Sequence, residues 1–302
     1  MSRRRRATAL TLALALAAGG CSPELARPAY PVLPDLSGLA WVEGDAFLAV
    51  HDAKVVGEEA LPRVSLVTAP GPGSPARWTT LDVDWSAAGT VSHDLESVAR
   101  VPGTATYLLA ESGAGGSAYR RLYVAELAGA ALTIREVADW PVAVFNVEGT
   151  AVARVGGALY FLFAERAHGE PSTRLVWARL EFDPLTLSDP HEAVLTVPSP
   201  TGPGARPVSA LDVDADGHVY VASAYDPDRD EGPFQSAVWR VGRLVESDGG
   251  AELLLSEPPE RVATLDGLKV EAVAVRPDGS GGVALFVGTD DEGYGGVLRR
   301  LP

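Results

Sequence analysis

The residues best suited to chemistry in this sequence are carboxylates placed where short apolar runs begin and end. Asp52, Asp94, Glu96, Glu111, Glu148, Glu165, Glu271 and Asp290 all occupy such positions. Acids gathered in one place repel one another, and a hard cation with oxygen ligands relieves the repulsion. These eight residues are therefore a candidate metal or ligand site, provided that the elements carrying them share a face. Acids at strand ends also accept hydrogen bonds from loop amides or pair with arginines such as Arg100 and Arg166, which is the structural alternative. The loop Asp226 to Gly232 offers a second cation candidate in Asp226, Asp228 and Asp230, or is simply a solvated acidic loop. Asp212 to Gly217 matches the first half of an EF-hand loop, but its twelfth position is Ser223 and Asp216-Gly217 is a favoured two-residue turn, so a hairpin is expected there.

Two histidines, His51 and His93, precede acids and are candidates for a general base or ligand. His168, His191 and His218 are expected in turns. Nucleophile elbows, zincin motifs and phosphate loops are absent, which removes support for the common hydrolase and nucleotide-binding mechanisms. No nucleotide, haem or flavin is expected. With 40 acidic against 25 basic residues and a net charge of -15, the chain is a poor match for nucleic acid or for an anionic lipid surface. Cationic partners suit it better, divalent metal ions being the simplest. Clustered Lys and Arg would favour phosphate recognition, but Lys54 and Lys269 are the only lysines.

The elements that must position these acids repeat. Five segments share a small or acidic residue, an alternating apolar strand, a Gly-containing turn and a second apolar strand ending in an acid. They start near Ser37, Glu96, Glu148, Ala210 and Glu271, at spacings of roughly 50 to 60 residues. The second interval holds four alternating runs, 97–101, 106–110, 121–127 and 132–137, and the third repeats the design. No segment reads as a long helix. This is the pattern of an all-β propeller over residues 27–302, with five blades expected and six as the alternative; a β-sandwich or two smaller β domains would also accommodate the strands. Only three strands follow Glu271, at 272–275, 283–287 and 296–301, so the segment from Arg27 to Leu33 is expected to supply the fourth and close the ring. In a blade, the start of the innermost strand and the end of the second lie at one face near the channel. That placement gathers the candidate acids at the channel mouth.

Asp94-Leu95-Glu96-Ser97-Val98-Ala99, Asn146-Val147-Glu148-Gly149-Thr150-Ala151 and Lys269-Val270-Glu271-Ala272-Val273-Ala274 resemble a recurring phrase of bacterial phytase-like propellers. This family carries the label "esterase-like activity of phytase", and the SdiA-regulated propellers are similar. Ser37 and Ala210 depart from the phrase, which has an acid at that position. The resemblance implies the propeller fold and, mechanistically, calcium-assisted hydrolysis of phosphate esters, with metal ions bridging an acidic face to an anionic substrate.

The N-terminus reads as an export signal. Arg3 to Arg6 form a positive stretch, Ala7 to Ala18 an apolar one too short to span a bilayer as a mature helix, and Gly19-Gly20 lead into Cys21. The arrangement resembles a bacterial lipobox, with Ala18 where such boxes usually carry Leu. It predicts a signal peptide over 1–20, acylation of Cys21 and a tether over 21–26; an ordinary signal peptide cut nearby is the alternative. Cys21 is the only cysteine, so intrachain disulfides and cysteine nucleophiles are excluded. After Val32 no apolar run approaches the roughly 18 residues of a spanning helix, leaving the lipid as the membrane anchor. Ser22 after the acylated cysteine resembles outer-membrane sorting signals. Three roles follow for an expected monomer: a binding domain with a divalent cation at the channel mouth, a calcium-dependent ester hydrolase, or a structural envelope lipoprotein. A small anionic ligand held through the metal, or an envelope protein, is the expected partner.

Overall fold

The computed structural model describes residues 33–53, 61–114, 119–167 and 169–302. The signal peptide, Cys21, the tether, residues 27–32 of the closing strand, Lys54 and His168 lie outside the described residues.

The described residues form five sheets, antiparallel within each blade, arranged as a β-propeller. Blade 1 contains β1 (Gly38–Glu43), β2 (Ala46–Val50), β3 (Val64–Thr68) and β4 (Arg77–Thr80). Blade 2 contains β6 (Leu95–Arg100), β7 (Thr106–Glu111), β8 (Leu122–Ala128) and β9 (Ala131–Ala138). The linker strand β5 (Asp82–Asp84) adds parallel to β9, a pairing that the sequence pattern did not reveal. Blade 3 is β10 (Val147–Val155), β11 (Ala158–Glu165), β12 (Ser172–Glu181) and β13 (Thr186–Thr196). Blade 4 is β14 (Ala205–Val213), β15 (His218–Tyr225), β16 (Gln235–Ser247) and β17 (Gly250–Asp266). Blade 5 holds β18 (Val270–Pro277), β19 (Val283–Thr289) and β20 (Leu298–Arg300). The expected shortfall of one strand in blade 5 is present among the described residues, and Leu33 forms an antiparallel bridge with Gly296 just before β20. The Asp212–Gly217 segment is the β14–β15 hairpin, with Asp214 accepting from the amides of Asp216 and His218.

Burial explains the strand compositions. Each innermost strand is covered on both faces by neighbouring blades, so β10 (VEGTAVARV) is buried at eight of its nine positions and is built from small and β-branched residues. Outer strands such as β13 are mostly exposed and polar. The apolar side chains form five clusters, each filling the seam between two adjacent blades. The seam between blades 5 and 1 joins Leu36, Leu39 and Phe47 to Ala272, Ala274 and Phe286, with the two Phe rings 4.7 Å apart. That cluster closes the ring by side-chain burial, the dominant favourable term in folding.

The small residue after the acid in the repeated phrase has a packing reason. A Cβ on Gly38 would stand 2.8 Å from Ser97 Cα, and one on Gly149 would stand 2.6 Å from Leu211 N. Inner strands of adjacent blades thus approach at backbone distance. The Ser97 and Thr150 hydroxyls meet at 2.8 Å across the same ring of seams.

Candidate functional site

Strand register places the site residues. In β6, β10 and β18 the pairing slips at Glu96, Glu148 and Glu271, so each glutamate is the extra residue of a β-bulge. A bulge leaves its residue outside the ladder and re-aims its side chain. All three glutamates line a cavity of about 570 Å³ at the channel mouth.

The same cavity is lined by Asp52 and Asp290 from the ends of second strands, by Asp226, Asp228 and Asp230 from the blade 4 loop, and by His51. Asp94 stands beside them. One carboxylate oxygen each from Asp52, Asp94 and Glu96 lie within 4.8 Å of one another. Asp94 also accepts from Ser112 Oγ at 2.5 Å. All three carboxylates have further protein partners, as does the buried Arg63, whose guanidinium donates to Ser92 O and His93 Nδ1 at the same corner.

Glu111 and Glu165 do not reach the cavity, and the reason is a register of one residue. Leu95 pairs with Glu111, Val147 with Glu165, Ala205 with Tyr225 and Val270 with Thr289. The cavity-lining position comes one residue later, at Arg166, Asp226 and Asp290, and at Ser112 in blade 2 the hydroxyl donates to Asp94. Successive side chains of a strand point to opposite faces, so the two glutamates are turned away. Glu111 is fully buried and accepts from Ser92 Oγ, Tyr123 OH and Arg121 Nη2, each at 2.7 Å. Glu165 pairs with Arg174 at 2.5 Å and accepts from Phe145 N.

His51 is a poor general base. It is buried, with Nδ1 donating to Asp35 O at 2.6 Å and Nε2 accepting from Ser65 Oγ at 2.7 Å. Burial lowers its pKa to about 4, which keeps it neutral. His93 accepts from Arg63 and does not line the cavity.

The positive charge in the cavity was not anticipated from the sequence. Arg166, Arg206, Arg229 and Lys269 line it, together with the further acids Asp35 and Glu292. Arg166 donates to Glu148 at 3.2 Å. Arg206 bridges Glu271, at 2.5 Å, and Asp226. Lys269 Nζ lies 3.0 Å from Asp290, 3.6 Å from Glu271 and 3.7 Å from Asp226, and it also pairs with Glu292. Asp35, Asp226, Glu271, Asp290 and Glu292 therefore share two cations. With charge in deficit, burial pushes Glu271 up to about 8, assisted by Asp290 and opposed by Lys269 and Arg206. Asp35 rises to about 7, by burial first and then by Asp290 and Glu292. Burial works against charge at Asp290 too, but attraction to Lys269 together with hydrogen bonds from Lys269, Glu271 and the Glu292 amide holds that carboxyl below its ordinary value. Lys269 faces the same penalty of burial and is held above its ordinary value by Glu271 and Asp290.

Lys269 was visible two residues before Glu271, and Arg166 directly after Glu165. Arg206 carries no local signal, because it reaches the channel from the first residues of β14, where Ala210 replaces the usual acid.

No protein-family model matches the chain, and no curated protein matches it. Solved structures do. An exo-1,5-α-L-arabinanase from a bovine ruminal metagenomic library superposes with a TM-score of 0.50 at 10% identity, covering 90% of this chain and 94% of that one. An α-L-arabinanase from Cellvibrio cellulosa, solved with arabinohexaose, gives 0.50 at 8% identity and covers 89% and 92%. A Thermus thermophilus protein described as an oxidoreductase (glucose dehydrogenase) gives 0.40 at 17% identity, covering 89% and 97%. At these identities the likeness is one of fold. The fold is a β-propeller.

Proposed function

We propose that the protein is an envelope lipoprotein, tethered through an acylated Cys21 in the outer membrane, whose propeller binds a small ligand at the channel mouth beside a divalent cation. Asp52, Asp94 and Glu96 would hold the cation. The observation that carries this reading is the grouping of their three carboxylate oxygens within 4.8 Å at the edge of the cavity. Calcium takes oxygen ligands at about 2.3 to 2.6 Å, so oxygens at that mutual spacing can share one ion. The partners these carboxylates already have compete with the cation and tune its affinity. A bound cation supplies a positive bridge from the acidic face to a ligand oxygen.

A second reading is calcium-dependent hydrolysis of a phosphate or other ester, in which a bound cation, with Arg229 on the cavity wall, would meet the charge of an anionic substrate. Glu271 is shifted up and Asp290 down from the ordinary carboxyl value, an asymmetry of the kind that acid–base chemistry uses.

Calorimetric titration of calcium into the metal-stripped protein tests the site. Glu96→Gln is expected to weaken binding at least tenfold, with Asp228→Asn near wild type. The reverse pattern moves the cation to the 226–230 loop, and no binding by the unmutated protein ends both readings. Metal-dependent turnover of aryl phosphates separates the hydrolase from the binding domain. Cys21→Ser is expected to move the protein out of the membrane fraction; a variant that stays there would refute the tether.

A further inference from the structure

We infer that the Asp35–Arg206 side of the cavity takes an uncharged polyhydroxylated molecule of the cyclic polyol or sugar class. This rests on the reading of the channel mouth as a small-ligand site.

Two buried polar atoms on the cavity wall, Arg206 Nε and Asp35 Oδ1, have no hydrogen-bond partner among the described residues. Arg206 is only 5% exposed. Its two terminal nitrogens are committed to Glu271 and Asp226, and a guanidinium is planar, so Nε cannot turn elsewhere for an acceptor. A buried donor without a partner is costly, and here it borders a space large enough for a small molecule.

The two unpartnered atoms make opposite demands. Arg206 Nε requires an acceptor, whereas Asp35 Oδ1, in the carboxylate form, requires a donor. A metal ion or an ammonium group satisfies Asp35 and is repelled at Arg206. A phosphate or carboxylate satisfies Arg206 but enters a wall where five carboxylates share two cations that are already paired. A hydroxyl both donates and accepts without bringing charge, so a molecule carrying several hydroxyls meets both demands. Pro34, Leu61 and Pro62 line the same cavity and supply apolar contact for the carbon faces of such a molecule.

The test is ligand-observed NMR and calorimetry on the purified full chain, with myo-inositol and D-glucose as neutral probes, myo-inositol hexakisphosphate as the anionic probe and spermidine as the cationic one. At least one neutral probe is expected to bind, with affinity reduced at least tenfold in Asp35→Ala and in Arg206→Lys, which keeps the charge and removes Nε. Calcium titration of each variant reports its folding and the Asp52–Asp94–Glu96 site separately. If Arg206→Lys fails to fold, Asp35→Ala decides alone. Neutral probes that do not bind while calcium does would overturn this inference and leave the cation reading intact, the cavity then being a hydrated one. Preference for the hexakisphosphate or for spermidine overturns it as well, by identifying a charged ligand. Binding of a neutral probe that is indifferent to both substitutions places the ligand elsewhere and equally refutes it.

Discussion

Replacing Glu111 by Gln should damage stability and spare the channel mouth. The Glu111 carboxylate is fully buried and accepts five hydrogen bonds. Oε1 takes Ser92 Oγ, Tyr123 OH and Arg121 Nη2, and Oε2 takes the Arg121 amide at 2.9 Å and its Nε at 3.1 Å. A glutamine must present its NH2 group at one of these positions. At Oε2 the NH2 meets two N–H donors of Arg121, at Oε1 it meets Arg121 Nη2 and reverses two hydroxyls, and either orientation leaves Arg121 without its counter-charge. Breaking a buried pair from one side costs about 3 to 5 kcal/mol. The Arg121 side chain is 22% exposed and can recruit water, which favours the lower end, about 3 kcal/mol. In a domain of this size each kcal/mol moves the midpoint by about 2 to 4 °C, so the expected loss is roughly 10 °C. Calorimetric melting measures it, and calcium titration of the same variant should match the wild type. A midpoint essentially equal to the wild type, or calcium binding lost at unchanged stability, would refute the register argument that removes Glu111 from the site.

Gly149→Ala should destabilise by about 2 kcal/mol, the scale of an overpacked core, because its Cβ would meet Leu211 N at 2.6 Å and Ala210 C at 2.8 Å, backbone atoms that cannot rotate away; unchanged urea denaturation would show that the inner strands of blades 3 and 4 are farther apart. Asp35→Asn should flatten the dependence of stability on pH. The folded protein raises the Asp35 carboxyl from 3.8 to about 7, so its contribution is fully present below pH 3.8 and is lost as pH rises to about 7. Melting midpoints of wild type and variant should therefore diverge across that window, with the wild type falling relative to the variant; parallel curves would contradict the shift.

Much of the architecture was legible before any coordinates. Alternating apolar residues with a period of two, interrupted by Gly-containing turns, mark strands locally, and their fivefold recurrence marks blades. The last blade's three strands among the described residues and the Asp216-Gly217 hairpin turn follow from the same local pattern. The expected lipoprotein tether rests on residues 1–26 alone, which lie outside the described residues.

Register and charge pairing were decided elsewhere. A carboxylate at the end of a strand reads the same whether it faces the channel or a seam, because one residue of slip reverses every side chain. Only the pairing of β7 with β6 and β11 with β10 turns Glu111 and Glu165 away, and only the bulges at Glu96, Glu148 and Glu271 aim those glutamates inward. Arg206 reaches Glu271 across 65 residues of chain, so no local pattern announces the pair. An acidic composition thus predicted an acidic funnel, and the tertiary structure brought Arg166, Arg206, Arg229 and Lys269 into it. The physical reason is range: strand propensity acts between near neighbours in sequence, while electrostatic neutralisation in a closed ring depends on which residues the ring makes adjacent.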